Sequence, residues 1–386
     1  MEVFRSVLTV ADSRRSLVAL CRIIDLDPLI TDRKRTILFW ACFIYPFFFH
    51  AFSLYTLYYY RNDMLPFLQC VSMWGAAGQC SFKTINAYIH RKRIREMFDQ
   101  VTCKQSASEQ DERVNAHYLK WARRLSVILK MLTSTLLSNF VFFNLYLLRG
   151  IVVNDRKFIF VLNIPGLNAD PNAGFPDYEL QLTFQLVALW IGVWEVVALD
   201  GLFAYFALNG ASQADSLIVT INRMSQAVEE ERAAGDETSR EIKRIIQQHG
   251  QYLDYINRLD EMFNGMFLMQ FGSFAFSGSV ALYVARISDW FAIYGIIATS
   301  YFQLFFYNSL GSVIETKNHE IAEEFYNCKW FMMSIKDRKM IMLMLQRART
   351  VPTLSVGHLA PLNLETGMSI YKTLYSYFLL LKDAFN

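Results

Sequence analysis

The sequence predicts an all-α membrane protein with seven transmembrane helices, and three observations support this fold class. Hydrophobic residues make up 53% of the 386 residues and charged residues only 19%, far from the composition of a soluble domain. Seven stretches are mostly apolar over the roughly 20 residues that a helix needs to cross a bilayer. Lysine and arginine are concentrated in alternate connections between these stretches.

The elements follow one another in a simple order along the chain. Residues 1–36 are basic and lack the short apolar core and small-residue site of a cleavable signal, so the first apolar run is itself a span. The last predicted span is the least apolar of the seven. The predicted spans are 37–59, 65–89, 125–148, 181–209, 263–285, 290–314 and 362–384.

The distribution of basic residues predicts the orientation. The N-terminal segment and the three long connections contain 29 lysines and arginines, whereas the connections on the opposite side contain five. Basic residues near spans favour the cytoplasmic side. We therefore expect a cytoplasmic N-terminus and, after seven spans, an extracellular C-terminus.

Two segments outside the spans have helical periodicity. In 237–263 the apolar residues recur at helical spacing, and 334–348 forms a second amphipathic pattern that ends before the Val351-Pro352 step. Such a face packs against other helices or lies on the membrane surface. We favour extension of spans four, five and six into a packed cytoplasmic bundle. The apolar residues of the first segment are Ile242, Ile245, Ile246, Leu253, Ile256 and Leu259.

The last span carries a line of polar residues. On a helix with about 100° per residue, they fall within roughly 40° of one line, interrupted where Leu379 and Leu380 lie. Such a line packs inside the protomer or lines an aqueous path formed by several copies around an axis. In a pore, the leucines would block ions by dewetting and Asp383 would favour cations. The line consists of Glu365, Ser369, Lys372, Ser376 and Asp383.

The outward halves of spans two, three, four and six are rich in aromatic residues and poor in ionisable ones. An apolar cavity with few polar groups binds small uncharged organic molecules, although any single aromatic residue is more often ordinary packing. We expect a pocket there, with Phe140, Phe143, Trp194 and Tyr294 nearby. The candidate ligand contacts are Phe67, Val71, Trp74, Ser138, Phe142, Tyr146, Leu186, Trp190, Ile293, Ile297 and Tyr301.

Ionisable residues within the spans are functional candidates by default. Lys83, Lys130 and Asp200 lie toward the predicted cytoplasmic ends, where snorkelling or pairing accounts for them. Glu195 lies deeper. It is either a hydrogen-bonded core acid, the reading we favour, or a polar group near the floor of the pocket.

Enzyme, cofactor and nucleic-acid functions find no support in the sequence. It contains no catalytic or nucleotide-binding motif, and its six histidines and six cysteines lack the spacing of metal ligands. The net charge of only +3 says little about nucleic acid, and we expect no nucleic-acid partner. We expect no cofactor and no metal, and we expect membrane lipid as a partner.

The C-terminal sequence carries the specific resemblance. The seven spans differ from G-protein-coupled receptors in inferred orientation and in lacking Asp-Arg-Tyr and Asn-Pro-x-x-Tyr motifs. HLAPLNLETGMSIYKTLYSYFLLLK (358–382), with the helix 336–349 and with Tyr326 and Trp330 before it, resembles the insect odorant receptors. At motif level only the last ~60 residues are specific; elsewhere the likeness is one of architecture.

The resemblance implies a cation channel of four subunits, in which odour-specific subunits join a shared co-receptor and the last helices line the pore. The family's gate then falls on Leu380 and Leu381, after Tyr377-Phe378, and its next polar position on Asp383. The connection 210–262 is too short for the co-receptor's insertion, which implies a ligand-specific subunit.

The resemblance and the patterns together predict an odorant receptor subunit that binds a small volatile ligand and gates a non-selective cation pore. We expect it in the plasma membrane of sensory neuron dendrites. A gustatory-type channel subunit, a metabotropic seven-helix receptor and a transporter remain alternatives. We divide the chain into six expected segments. They are a cytoplasmic N-terminal segment (1–36), transmembrane helices one to four with the ligand pocket (37–209), cytoplasmic anchor helices (210–262), transmembrane helices five and six (263–314), a second cytoplasmic anchor (315–361), and the pore helix with the C-terminus (362–386).

Overall fold

A computed structural model describes residues 15, 17–19, 21–22, 37–108, 111–153, 156–168, 170–230, 235–350 and 353–384. Most of the predicted N-terminal segment and the Val351-Pro352 step lie outside these residues. The helices are α1 (Ile37–Tyr59), α2 (Met64–Ile89), α3 (Arg91–Ser108), α4 (Glu112–Val152), α5 (Asp177–Glu229), α6 (Gly235–Ile287), α7 (Ala292–Asn327), α8 (Ile335–Arg349) and α9 (Leu364–Ala384), and the strands are β1 (Ser355–Val356) and β2 (Ala360–Pro361).

Each predicted span coincides with one helix, with at most two residues outside it: α1, α2, α4, α5, α6, α7 and α9 in chain order. The predicted helical fold class is therefore confirmed. Among the described residues, three stretches are long and apolar enough to cross a membrane when judged by length and composition alone. They are Glu112–Gly150, Asp177–Glu229 and Glu237–Ile287.

Three helices continue well beyond the predicted spans and pack together there. The apolar face of α6 that the periodicity identified is buried: Ile245 and Ile256 have no exposed surface. They share one hydrophobic core with Ile221 of α5 and Ile321 of α7. Burial of apolar side chains against other helices stabilises this extension, so the face does not lie on a membrane surface.

Helix α8 forms where the sequence predicted an amphipathic helix. The Ser334 hydroxyl caps its first turn by accepting a 3.3 Å hydrogen bond from the backbone nitrogen of Asp337. One face, which includes Ile341, is buried in the main core, whereas Met342 and Leu343 are exposed on the other. Apolar residues left exposed on a helix face are typical of a contact surface.

A short hairpin and α3 were not predicted. In the hairpin, β1 and β2 pair antiparallel around Gly357 and His358, both of which have positive φ angles of 58° and 59°. Positive φ at both central residues is the geometry of a tight hairpin turn. The Asp260 carboxylate of α6 accepts hydrogen bonds from the Ser355 backbone nitrogen at 2.6 Å and hydroxyl at 2.9 Å, which fixes the hairpin on α6.

The start of α9 is fixed by two helix-terminal hydrogen bonds. Asn363 accepts a 2.9 Å bond from the backbone nitrogen of Thr366 through its side-chain oxygen, as an N-cap residue does. The backbone nitrogen of Leu364 donates to the Ser312 hydroxyl of α7 at 3.0 Å. The hairpin and these bonds together set the direction of the last helix.

Candidate functional site

A cavity of about 180 Å³ lies among α1, α2, α4, α5 and α7. The predicted pocket spans two, three, four and six correspond to α2, α4, α5 and α7, and α1 contributes as well. Phe160, in the connection between α4 and α5, also lines the cavity. A space of this size holds one small organic molecule, since a cavity of about 150 Å³ holds benzene.

The walls of the cavity are largely aromatic and aliphatic. Phe160 meets Phe49 of α1 and Phe143 of α4 edge-on, with ring centroids 6.0 and 6.2 Å apart. Met73 of α2 and Leu136 of α4 complete these walls. Edge-to-face rings at such separations pack favourably and hold the cavity open without a ligand.

The polar groups that line the cavity are mostly bonded within the protein. His50 Nε2 and Ser81 Oγ form a 2.8 Å hydrogen bond between α1 and α2. The Tyr45 hydroxyl donates to the Phe184 carbonyl oxygen at 2.7 Å, and the Asn139 side-chain nitrogen donates to the Thr135 carbonyl oxygen at 3.1 Å. These bonds fix the side chains before any ligand arrives.

Glu195 of α5 is the exception. It lines the cavity with only 1% of its surface exposed, and its Oε1 atom has no hydrogen-bond partner among the described residues. The Thr84 side chain lies close to the carboxyl group, yet Thr84 Oγ1 also lacks a partner with hydrogen-bonding geometry there. Glu195 thus lies in the cavity wall, where the alternative of a polar group at the pocket places it, and its role stays a prediction.

Next to the cavity lies a buried ion pair. Lys83 Nζ of α2 and Asp200 Oδ1 of α5 are 2.9 Å apart, with side-chain exposures of 2% and 0%. The Tyr307 hydroxyl donates to the same carboxylate oxygen. Of the two explanations offered for Lys83 and Asp200, snorkelling and pairing, the structure therefore supports pairing. The opposite charges and the Tyr307 hydroxyl compensate much of the free-energy cost of burying a charge.

Gln303 of α7 connects this ion pair to the cavity. Its side chain lines the cavity and donates to Asp200 Oδ2 at 3.3 Å, while its oxygen accepts a 2.9 Å bond from Gln270 of α6. The ligand cavity, the ion pair and α6 are thus joined by one buried hydrogen-bonded network.

The polar line on α9 is exposed in the protomer. Every one of its five residues is exposed, and so are Leu379 and Leu380, with Leu380 at 64%. This exposure does not fit the alternative that the line packs inside the protomer. The polar face is available to solvent, lipid or another subunit.

The opposite face of α9 is docked on α6 and α7. Leu374 is fully buried, and a Cβ at Gly278 of α6 would come within 2.9 Å of its Cδ1 atom, so glycine allows this close approach. Tyr371 stacks on Tyr301 of α7 with ring centroids 5.1 Å apart. One face of the helix is therefore anchored and the other is free.

Among the described residues that line the cavity, none is one of the eleven candidate ligand contacts. Val71 and Ile293 are buried in the core around the cavity, and Phe67, Phe142, Tyr146, Leu186 and Ile297 pack against that core. Tyr301 faces α9, and Trp74, Ser138 and Trp190 are exposed. Whether any of them contacts a ligand remains a prediction.

The sequence did not predict most of the polar residues that line the cavity, among them the amides Gln79, Asn139 and Gln303. Each is an uncharged polar residue within a predicted span. An amide in hydrocarbon needs a hydrogen-bond partner, as an ionisable group needs a counter-charge. Amides within the predicted spans are therefore the sequence signal that indicates these three residues.

Metal and thiol chemistry find no geometric support in the part of the chain that the structure describes. No group of three or more histidine, cysteine or acidic side chains there could hold a metal ion. The six cysteines form no disulfide among the described residues, and four of them are buried. The four buried cysteines act as small core residues.

Comparison with known proteins gives a consistent result. The model of the family described as 7tm Odorant receptor matches residues 63–375. Odorant receptor Or2 of Anopheles gambiae is 23% identical over 354 residues, covering 84% of this chain and 89% of that protein. Odorant receptor 63a of Drosophila melanogaster is 26% identical over 216 residues, covering 54% and 50%.

Solved structures share the fold. The insect olfactory receptor OR5 from Machilis hrabei has a TM-score of 0.74 and 12% identity, covering 95% of this chain and 96% of that one. Its complex with eugenol has the same TM-score and 13% identity, covering 97% and 99%. At these identities the likeness establishes the arrangement of helices, not the ligand.

Proposed function

Because the chain belongs to the 7tm odorant receptor family and is a membrane receptor rather than an enzyme, we propose that it is the ligand-specific subunit of an odorant-gated cation channel. A small volatile molecule fills the cavity. Its binding opens a pore that α9 lines together with the last helices of neighbouring subunits.

The cavity supports a small, mostly apolar ligand. Its aromatic walls and about 180 Å³ of space fit one ring or a short chain, and a family structure of the same fold is known with eugenol. Burying roughly 200–300 Å² of ligand surface contributes at most about 5–7 kcal/mol at ~25 cal/mol/Å². We therefore expect micromolar or weaker affinity.

The free polar face of α9 supports the pore. A single helix cannot enclose water, so the face requires copies around an axis, as in a tetramer with a co-receptor. Leu379 and Leu380 would form the hydrophobic constriction, and the Asp383 carboxylates would attract cations near its mouth. Ser376 would contact the pore water about one helical turn before the constriction.

Helix α7 supplies the coupling between ligand and pore. Thr299, Ser300 and Gln303 line the cavity, while Tyr301, between them in sequence, holds Tyr371 of α9. A ligand that displaces this turn of α7 also displaces α9. The ligand opens the pore by binding the open conformation more tightly than the closed one.

The exposed apolar face of α8 supports assembly outside the membrane. Met342 and Leu343 are 61% and 65% exposed, and basic residues flank them. We assign this face to contacts between subunits. The N-terminus and this region lie in the cytoplasm, and the protein lies in the plasma membrane of sensory neuron dendrites.

The observation that carries the proposal is an α9 helix with one anchored face and one exposed polar face. The test is recording from excised patches of cells that express the chain with and without a co-receptor, using a panel of volatiles. We expect volatile-evoked cation currents with single-channel steps and no added GTP. Responses that need GTP, or ligand flux without steps, would contradict the proposal.

A matched pair of variants on α9 makes the test specific to the pore. Leu380→Ser should raise basal current, because a hydroxyl allows water into the constriction. Tyr375→Ser changes an exposed residue of the same helix that lies about 100° from Ser376 of the polar line, and should leave basal current unchanged. An unchanged basal current in Leu380→Ser would remove Leu380 from the gate.

A further inference from the structure

Among the described residues that line the cavity, Glu195 carries a fully buried polar atom, Oε1, without a hydrogen-bond partner. An acidic side chain with 1% exposure has lost its hydration, and an unpaired buried acceptor destabilises the fold. Such a group persists where something absent from the bare protein supplies the missing donor. Because Glu195 lines the cavity, that donor has a place to bind.

Most donors that line the cavity are directed elsewhere; the exceptions are Gln79 and Ser300, whose side chains have no hydrogen bond among the described residues. The amide nitrogens of Asn139 and Gln303 donate to Thr135 O and Asp200 Oδ2, and the Tyr45 hydroxyl donates to Phe184 O. The Lys83 ammonium group is held by Asp200 at 2.9 Å. The described part of the chain therefore offers an incoming molecule an acceptor at Glu195, in a cavity whose walls are otherwise largely apolar.

We propose that the ligand of this cavity is a small apolar molecule with an O–H or N–H donor, an alcohol, phenol or amine, whose donor bonds to Glu195 Oε1. This assignment rests on the proposed function for the existence of a ligand and adds its chemical class. The aromatic walls bind the apolar body. With no proton on Oε1, Glu195 selects against ethers, esters and hydrocarbons of the same shape, because these lack a donor. A buried acceptor left unpaired is what makes such selection strong.

The test compares donors with their methyl-capped analogues. Benzyl alcohol and benzyl methyl ether form one pair, and 1-pentanol and methyl pentyl ether form another. Binding is measured as the ligand-induced rise in unfolding temperature of the purified full-length receptor, and gating as current in cells that also express a co-receptor. We expect the donor to be at least about tenfold more potent in the better-binding pair.

Two variants assign the preference to Glu195. Glu195→Met keeps the length and apolar volume but removes the acceptor, so the donor should lose its advantage while the ether keeps its potency. Glu195→Gln keeps an acceptor oxygen, so it should keep the preference for alcohol over ether.

Benzylamine distinguishes the two donor chemistries: an ammonium group depends on the charge and loses potency in Glu195→Gln, whereas a neutral alcohol does not. Glu179→Met, an exposed acid on the same helix, is the control and should leave every ratio unchanged.

The outcomes separate this assignment from the proposed function. The assignment is overturned if alcohol and ether are equally potent in both pairs, which is the result expected if Glu195 binds only water. It is also overturned if the preference for alcohol survives in Glu195→Met. A Glu195-dependent preference in binding without any current supports the assignment and overturns the channel function. A purified, folded receptor that binds neither member of either pair overturns both.

Discussion

The Tyr371 hydroxyl donates a 3.1 Å hydrogen bond to the backbone carbonyl oxygen of Tyr301, and the two rings stack with their centroids 5.1 Å apart and an angle of 20° between them. Ser300 of α7 lines the cavity, and Tyr301 is the next residue in the chain. Tyr371 lies on the anchored face of α9. This pair is therefore a direct mechanical contact between the cavity wall and the last helix.

Loss of the Tyr371 ring should weaken coupling more than loss of its hydroxyl. Tyr371→Ala removes both the stack and the hydrogen bond, and we expect the half-maximal ligand concentration to rise by about threefold to tenfold, since an aromatic pair contributes about 0.5–1.5 kcal/mol. Tyr371→Phe keeps the stack and should shift it less. Concentration–response curves measure both, with the exposed Tyr375→Ala as control. Equal shifts in all three variants would contradict the coupling role.

Filling the cavity should abolish the response without unfolding the protein. Gly192 lines the cavity, and a Cβ placed on it meets no atom within 4 Å. Gly192→Phe should therefore occupy the ligand space and remove ligand-induced stabilisation and current. Gly78 has equally open space but does not line the cavity, so Gly78→Phe is the matched control. A wild-type response in Gly192→Phe would show that the ligand binds elsewhere.

The buried pair Lys83–Asp200 predicts a non-additive effect on stability. Asp200→Asn leaves the lysine ammonium group buried without a counter-charge and should lower the free energy of unfolding by about 3–5 kcal/mol. The double variant with Lys83→Met removes both charges and should recover much of this loss. Thermal unfolding of the purified proteins measures the coupling. A double variant less stable than Asp200→Asn alone would contradict a mutually compensating pair.

His249 lies on α6 outside the predicted spans, and it should make stability sensitive to acid. Burial, and secondarily the charge of Arg347, lowers the pKa of this imidazole to about 4. Protons therefore bind the unfolded chain preferentially between pH 6.5 and about 4, so the free energy of unfolding should fall as the pH falls through this range. The loss is at most about 3 kcal/mol, since one unit of pKa corresponds to about 1.4 kcal/mol.

The control for His249 is a substitution that does not titrate. His249 is 1% exposed and packs edge-on to Phe325, with ring centroids 5.6 Å apart, so His249→Leu keeps an apolar side chain in that space. Unfolding temperatures measured against pH should be flatter in this variant. The exposed His319→Leu should keep the wild-type slope. The same slope in all three proteins would exclude His249 as the source.

The helices could be predicted from the sequence because their signals are local. Apolar runs of membrane length and the 3.6-residue period of 237–263 depend only on neighbouring residues, and both became helices. Helix α3 was not predicted although four buried apolar residues recur at helical spacing within its charged sequence, namely Ile94, Met97, Phe98 and Val101. The hairpin was missed because its strands have two residues each, and its turn depends on positive φ angles at Gly357 and His358.

The cavity could be predicted only in outline. Its helices follow from the resemblance, but which side chains line it depends on how each helix is rotated in the bundle. Phe142 and Phe143 are adjacent in sequence, yet only Phe143 lines the cavity. No pattern within one helix determines that difference, since both are apolar aromatics in the same span. Glu195 was identified because a deep carboxylate is unusual in any span.

Cysteine accessibility on α9 tests most directly whether the polar face lines a pore. Ser376 lies on the polar line and Tyr375 is an exposed neighbour about 100° away around the helix. In cells that express the receptor with a co-receptor, a charged, membrane-impermeant thiol reagent should reduce odorant-evoked current through Ser376→Cys, faster when ligand is present, and should leave wild-type and Tyr375→Cys currents unchanged. Current that is unaffected in Ser376→Cys, or equally reduced in Tyr375→Cys, would contradict a pore lined by this face.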